Sequence, residues 1–157
     1  MIKLMRVDYR LIHGQVAMAW THTIGADCIL VAGDAIAADD MRKATLRLAR
    51  PSGVKLVIKD IDNAIAALKS GVTEKYSLFI IVESIEDAYR LAMGYDGITS
   101  INLGGTRSTD DTNHRLDTAI FATDHDIEML RELSQKGVEI EIRQVPTDDK
   151  VDASKLL

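Results

Sequence analysis

The chain has 157 residues, of which 46% are hydrophobic, and its net charge at pH 7 is −5. A chain of this length fits one domain and buries roughly 68–70% of its unfolded surface, which excludes a disordered acidic protein. The mild negative charge gives no general attraction to nucleic acid. The single cysteine, Cys28, excludes a disulfide framework and a thiolate-rich zinc site. We therefore expect a single domain over residues 1–157.

No segment of the sequence has the composition of a membrane anchor or a signal peptide. The longest apolar stretches, Cys28–Ala32 and Leu78–Val82, are far shorter than the ~20 residues that cross a bilayer. The amino-terminal segment 1–8 is interrupted by charged residues and lacks the apolar run of a signal peptide. These features predict a soluble, cytoplasmic protein.

Short apolar runs alternate with amphipathic segments along the first two thirds of the chain. The candidate strands are Ile2–Val7, Cys28–Ala32, Val54–Ile58, Leu78–Val82 and Ile101–Leu103. The candidate helices are Gly14–Ile24, Asp39–Ala49, Asp60–Ser70 and a segment that begins after Ser84 and stops at Gly94. Apolar strands buried on both faces and joined by helices predict an α/β fold with a doubly wound, mostly parallel open sheet and flanking helices.

The pattern changes after Gly105. Residues 106–115 are polar and predict a surface loop. A strand at Leu116–Ala122, a helix at Asp124–Gln135 and a final strand at Val138–Val145 are expected to follow. The final strand alternates apolar and charged residues, so we expect one side of it to face water and predict an antiparallel strand at the sheet edge.

The loop after the first strand holds the main candidate for chemistry, because ligands of doubly wound sheets bind beyond the carboxyl ends of the strands. His13 is expected at the amino end of the first helix, where free backbone N–H groups and the helix dipole favour an anion. Gly14 lets the backbone approach a ligand, and Arg10 can hold two phosphate oxygens at once. This combination indicates an imidazole that accepts a phosphoryl group, and the alternative is a histidine that only packs against the loop or caps it.

The segment Val7–Val16 (VDYRLIHGQV), followed by Trp20, resembles the phosphorylated loop of one family of transport proteins. These are the IIB components of the mannose/fructose/sorbose family of the bacterial sugar phosphotransferase system (PTS). The segment Ile101–Gly105 (INLGG) resembles that family's Asn-x-Gly-Gly motif, and the resemblance extends over essentially the whole chain. One departure is Tyr9, where the family often has Asp.

The resemblance implies a protein-Nπ-phosphohistidine–sugar phosphotransferase. In that role His13 accepts a phosphoryl group from the phosphohistidine of a IIA component and passes it to a sugar held by membrane IIC and IID components. Arg10 would neutralise the phosphoryl oxygens, and Asp8 would orient Arg10 or the imidazole. The resemblance places the phosphate on Nδ1, a choice that the sequence alone does not make. It implies no cofactor, metal or nucleic-acid partner, and it leaves a homo-oligomer open.

Further phosphate contacts are expected from the loop backbone and from one neighbouring loop. The resemblance directs the phosphate toward the amides of the loop, which we assign to Leu11, Ile12, Gly14 and Gln15. Ser84 follows the fourth strand, and its hydroxyl would come near the phosphoryl group if that strand neighbours the first. A plain N-cap explains Ser84 equally well.

Several other residues have two interpretations each. Gly104 and Gly105, followed by Arg107, predict either a second phosphate-binding nest or a tight turn with positive φ. Asp34 is expected to cap a helix rather than bind a metal. Trp20 is expected to pack under the active loop rather than bind sugar.

Two other functions stay open on the sequence alone. In a non-catalytic phosphate- or nucleotide-binding module, His13 and Arg10 would only grip a ligand. A hydrolase with His13 as its base is disfavoured, because no Ser or Cys nucleophile elbow precedes a helix. The sugar itself stays undetermined, since recognition in the family lies chiefly in the membrane components.

Overall fold

The computed structural model describes all 157 residues and contains one seven-stranded sheet, a separate two-stranded hairpin and helices on both faces of the large sheet. The strands are β1 (Ile2–Asp8), β2 (Cys28–Ala32), β3 (Lys55–Lys59), β4 (Leu78–Val82), β5 (Ser100–Gly105), β6 (His114–Asp117), β7 (Ile120–Ala122), β8 (Glu139–Ile142) and β9 (Val151–Asp152). The helices are α1 (Gly14–Ile24), α2 (Asp34–Ala37), α3 (Asp40–Ala49), α4 (Ile61–Ser70), α5 (Ile85–Gly94) and α6 (Asp124–Gln135), and a 3₁₀ turn (Ala153–Leu156) follows β9.

The strand order of the large sheet is β3-β2-β4-β1-β5-β8-β9. All neighbouring pairs are parallel except β8 and β9, which are antiparallel. The predicted doubly wound, mostly parallel sheet with an antiparallel edge strand is therefore confirmed. Because β4 lies beside β1, the loops that follow these two strands open onto the same edge of the sheet.

Two apolar cores lie on the two faces of the sheet. Helices α1, α2 and α3 pack on one face, where Trp20, Ile36 and Leu46 join the side chains of Phe79 and Ile81. Helices α4, α5 and α6 cover the other face. The central strands β2 and β4 are buried along their whole length. Edge strand β3 is half-exposed, so the prediction that it is buried on both faces is wrong.

Asp60 and Ser84 are N-caps, because their side chains accept the backbone N–H of Asn63 and Asp87. The N-cap interpretation of Ser84 is therefore confirmed, and the helix expected to begin at Asp60 begins one residue later. Asp34 caps a helix other than its own, because its Oδ1 accepts the N–H of Ile61 at the start of α4, at 3.0 Å. The short helix α2 was not predicted, because four residues are too few to show a helical period.

The structure corrects the prediction for the segment after Gly105. The strand predicted at Leu116–Ala122 is a hairpin of β6 and β7, with a turn at residues 118–119. His114 begins β6 instead of lying in a loop. The hairpin escapes pattern analysis because its strands, of four and three residues, are too short to show a period and form their own two-stranded sheet rather than joining the large one.

The final predicted strand is also corrected. The strand β8 ends at Ile142 and lies between β5 and β9, so the antiparallel edge strand is β9 and not Val138–Val145. Glu141 does not face water and is only 7% exposed. Its carboxylate accepts hydrogen bonds from Asn102 at 3.2 Å and from Arg143 at 3.4 Å, and these partners make its burial tolerable.

Arg6 is a charged side chain buried in the centre of the sheet, at 2% exposure. Its Nη1 donates to the Asn102 side chain at 2.7 Å and to the Arg143 carbonyl at 2.9 Å. Its Nη2 donates to the Gln144 carbonyl at 2.8 Å and to Asp8 at 3.3 Å. Burial lowers the pKa of Arg6, and the neighbouring Asp8 carboxylate opposes that shift. The guanidinium is thus held as a cation by oxygen atoms from three separate segments.

We expect Gly104→Ala to destabilise the protein through this guanidinium. A Cβ at position 104 would lie 2.1 Å from Cζ of Arg6 and would push the guanidinium away from Asp8 and Asn102. Overpacking and a damaged buried ion pair together predict a loss of about 3 kcal/mol in the free energy of unfolding, measured by urea denaturation.

The neighbouring Gly105→Ala variant is a matched control for Gly104→Ala. A Cβ at position 105 would make only ordinary contacts, at 3.7 Å from Asp8 and Tyr9, and we expect a change below about 1 kcal/mol. Equal destabilisation by the two variants would show that the space for Arg6 is not the reason for a glycine at 104.

A polar cleft of about 500 Å³ lies between the loops that follow β2, β4 and β5. Its lining residues are Asp34, Ala35, Arg42, Glu83, Ser84, Asp87 and Arg107. Burial, reinforced by the neighbouring Glu83 carboxylate, raises the pKa of Asp87 to about 6. The cleft therefore contains a carboxyl group that changes charge just below neutral pH.

This raised pKa predicts a defined pH dependence of stability. Between about pH 4, the unfolded value, and about pH 6, the folded Asp87 binds more protons than the unfolded one, so the free energy of unfolding falls as the pH rises. Asp87→Asn is expected to remove this slope and to stabilise the protein at pH 7, measured by urea denaturation at several pH values. The exposed variant Asp40→Asn controls for the change in net charge. A slope in Asp87→Asn equal to that of the unmodified protein would contradict the prediction.

Candidate active site

The loop between β1 and α1 is a tight turn held by its own backbone. The N–H of Leu11 donates to the carbonyl of Asp8 at 2.9 Å, and the N–H of Arg10 donates to Oδ1 of Asp8 at 3.0 Å. Leu11 has φ 59°, a left-handed conformation that is strained for a residue with a branched side chain, and Gly14 has φ 45°. The side chains of Leu11 and Ile12 are buried in the core below, which holds the loop in this shape.

Asp8 and His13 form the central contact of the site. The Asp8 carboxylate is completely buried, and its Oδ2 lies 2.8 Å from Nε2 of His13. The same oxygen accepts the hydrogen bond from Arg6 at 3.3 Å. An ionised carboxylate can only accept, so it favours the neutral tautomer of His13 with its proton on Nε2. The lone pair of Nδ1 is then left free for chemistry on a ring that is 21% exposed.

Arg10 lies at the solvent-exposed side of the same loop. Its side chain is 48% exposed, and its Nε lies 3.5 Å from Oδ1 of Asp8. The two terminal guanidinium nitrogens make no hydrogen bond to the protein. Arg10 therefore presents an unengaged, planar pair of donors on the same loop as His13, and such a pair can bind two phosphate oxygens.

The amino end of α1 supplies the backbone part of the site. His13 is the N-cap residue, and no side chain caps this helix. The first N–H groups of the helix, including those of Gly14 and Gln15, have no acceptor within it. The N–H of Ile12 makes no hydrogen bond. The N–H of Leu11 donates to the Asp8 carbonyl in this structure, and its contact with a phosphate stays a prediction.

Ser84 and the Gly104–Gly105 segment, which were considered as further phosphate contacts, form no part of this loop. Ser84 Oγ accepts the N–H of Asp87 at 3.1 Å as the N-cap of α5, and it forms no hydrogen bond with the loop. Gly104 and Gly105 belong to β5, and neither has a positive φ. The predicted nest and the predicted tight turn are therefore both wrong. Gly104 instead makes space for the guanidinium of Arg6.

The supporting network behind Asp8 was missed by the sequence analysis. Arg6 holds Asp8, Asn102 holds Arg6, and Glu141 accepts from Asn102. The one local signal for it was the charge of Arg6 inside the apolar run of β1.

Trp20 completes the packing beneath the loop. Its ring is 1% exposed, and the guanidinium carbons of Arg6 and Arg143 lie 5.3 and 5.0 Å from the ring centre. The indole N–H donates to the Gln144 carbonyl at 3.0 Å. The prediction that Trp20 packs under the loop is confirmed, because its ring lies in the same buried cluster as Leu11 and Ile12 of that loop. Its cation–π contact with Arg6 also orders the guanidinium that holds Asp8.

Other polar clusters lack the composition of a metal site. No group of three or more His, Cys, Asp and Glu side chains is close enough to bind a metal ion. His114 pairs with Asp124 alone, at 2.6 Å. The helices of the structure are all too short or too polar to cross a membrane.

Comparison with known proteins gives consistent results. The profile of the "PTS system sorbose subfamily IIB component" family matches residues 2–157. The fructose-specific EIIB component of Bacillus subtilis is 34% identical over 99% of this chain and 95% of its own length. The mannose-specific EIIAB component of Escherichia coli K12 is 33% identical over 99% of this chain, which spans only 48% of that protein.

Solved structures agree with the sequence comparison. The IIB domain of the sorbose permease of Klebsiella pneumoniae superposes with a TM-score of 0.92 and 29% identity, over 99% of this chain and 95% of that one. The family profile and the superposed structure both match nearly the whole length of the chain. The chain belongs to the PTS system sorbose subfamily IIB component family, and it is a IIB component of a sugar phosphotransferase system.

Proposed function

We propose that residues 1–157 form a single cytoplasmic phosphocarrier unit in which His13 takes a phosphoryl group from a phosphorylated IIA component and passes it to a sugar. The sugar is one that the membrane IIC and IID components transport. The contact that carries this proposal is the 2.8 Å hydrogen bond between Asp8 and Nε2 of His13. It fixes the ring so that Nδ1 is the free nitrogen.

In the first half of the reaction, Nδ1 of His13 attacks the phosphorus of the donor's phosphohistidine. The new P–N bond forms as the donor's P–N bond breaks, and its electron pair returns to the donor ring. His13 then has a phosphoryl group on Nδ1 and a proton on Nε2, so its ring gains positive charge. The buried Asp8 carboxylate next to Nε2 stabilises that charge.

The moving phosphoryl group carries negative charge on its oxygens. Arg10 offers unengaged guanidinium donors, and the uncapped amino end of α1 offers backbone N–H groups and a positive dipole end. Little covalent chemistry is left for the protein, because positioning and charge stabilisation dominate phosphoryl transfer.

In the second half, a sugar hydroxyl attacks the phosphorus of phosphorylated His13. The O–P bond forms, the P–N bond breaks, and the electron pair returns to Nδ1 while the hydroxyl proton passes to solvent. Nε2 keeps its proton, which is hydrogen-bonded to Asp8. The departing imidazole is therefore neutral and a good leaving group. The names of the relatives include fructose, mannose and sorbose, so they do not single out one sugar.

The proposal predicts a histidine-specific phosphoryl adduct. With phosphoenolpyruvate, the general PTS proteins and a cognate IIA component, the protein is expected to acquire an acid-labile, base-stable label on His13. His13→Ala is expected to abolish the label with the fold intact. His22→Ala, which alters an exposed histidine of the same helix, is expected to retain it.

Labelling that survives in His13→Ala would refute the assignment of the site. Complete absence of labelling with cognate donors, together with binding of inorganic phosphate, would favour the non-catalytic phosphate-binding module instead.

Arg10→Lys tests the role of the guanidinium. A lysine is a point charge and cannot hold two phosphoryl oxygens at once, so we expect kcat for phosphoryl transfer to fall about tenfold or more. The half-exposed side chain predicts a stability change below about 0.5 kcal/mol. Stopped-flow or quench-flow labelling measures the rate, and an unchanged kcat would remove Arg10 from the mechanism.

A further inference from the structure

Two guanidinium groups converge on the ring of Tyr9. The Cζ atom of Arg10 lies 5.4 Å from the ring centre, and the Cζ atom of Arg107 lies 5.3 Å from it. Tyr9 immediately follows Asp8 at the end of β1, while Arg107 comes from the loop after β5. The N–H of Tyr9 donates to the Gly105 carbonyl at 3.1 Å, which holds these two segments together.

Arg107 differs from the other arginines at this edge of the sheet. It is exposed and forms no salt bridge or hydrogen bond, whereas Arg42 pairs with Glu83 at 2.8 Å. The two guanidinium groups lie against the same ring, and Arg107 pairs with none of the carboxylates of the cleft that it lines, Asp34, Glu83 and Asp87. Mutual repulsion disfavours that arrangement, and an anion that both cations contact would relieve it.

The Tyr9 ring explains how Arg107 is held. Cation–π contact orders a guanidinium against an aromatic face without neutralising it. The Tyr9 hydroxyl makes no hydrogen bond in the structure. Tyr9 therefore contacts the two arginines through its ring and not through its hydroxyl. Arg107 consequently keeps its full charge while its position is restricted.

We propose that Arg107, positioned by Tyr9, is a second cation that binds the phosphorylated donor beside Arg10. This inference rests on the proposed function, and it assigns to Arg107 the capture of the donor's phosphohistidine and its anionic surroundings. Tyr9 is a positioning residue that acts through Arg107. Because Arg10 belongs to the loop of His13 and Arg107 to the loop after β5, we expect the two arginines to affect different kinetic constants.

The test measures phosphoryl transfer from a phosphorylated IIA component at a series of donor and salt concentrations. Arg107→Ala is expected to raise KM for the donor about tenfold, to leave kcat within about twofold and to weaken the dependence of kcat/KM on salt. Arg131→Ala, an exposed arginine of α6 with no ion pair, controls for the loss of one positive charge.

The positioning role of Tyr9 is tested by a double-mutant cycle. Tyr9→Leu is expected to raise KM as Arg107→Ala does, and Tyr9→Phe is expected to match the unmodified protein because it keeps the ring. The double variant Tyr9→Leu/Arg107→Ala is expected to be no worse than Arg107→Ala alone, since the two residues act as one unit.

Each outcome of these measurements decides one part of the inference. Equal KM values for Arg107→Ala and Arg131→Ala would overturn the role of Arg107. Additive effects in the cycle, or a Tyr9→Phe variant as impaired as Tyr9→Leu, would overturn the role of Tyr9. Final labelling of His13 is unaffected by either failure, so the proposed function is judged separately by the loss of label in His13→Ala.

Discussion

The buried carboxylate of Asp8 is the constraint on which the site depends. A fully buried charge is tolerated only with partners, and Asp8 has three: the guanidinium of Arg6, the imidazole of His13 and the backbone N–H of Arg10. Each partner fixes one property of the site. Arg6 anchors the carboxylate in the sheet, the Arg10 amide shapes the loop, and the contact with Nε2 decides which nitrogen of His13 is free.

The dependence extends outward from Asp8 through the sheet. Arg6 keeps its place because Gly104 leaves space for its guanidinium. Asn102 and two carbonyl groups after β8 also accept hydrogen bonds from it. The loop that carries Asp8, Arg10 and His13 is thereby supported by the carboxyl-terminal third of the chain. The strain at Leu11 is maintained by the same arrangement, since the surrounding hydrogen bonds and buried side chains leave the loop no alternative.

The parts of the structure that follow from local patterns could be predicted from the sequence. Strands β2 and β4 and helices α1 and α6 occupy the predicted residues, because buried strands are continuous apolar runs and helix ends carry capping residues. The loop motif also singled out Asp8, Arg10 and His13, and the structure brings these side chains together around the Asp8 carboxylate. The roles of Gly104 and Glu141 were predicted wrongly, because the residues that they contact, Arg6 and Asn102, are far away in the sequence. The partner of Arg6 in the network, Asn102, is 96 positions away, and no local window contains both.

The site combines a buried half, formed by Asp8 and its partners, and an exposed half that contains Arg10 and Arg107. In the proposed function a carboxylate fits the buried half, because it would hold a proton on Nε2 and balance the charge of a phosphorylated ring. At the exposed rim, Arg107 has no carboxylate partner and lies instead against the neutral ring of Tyr9. Such a contact orders a guanidinium while leaving its charge available to an anion. The buried carboxylate and the exposed aromatic ring therefore correspond to two opposite demands of the proposed function, which are to hold a proton on Nε2 and to attract an anionic donor.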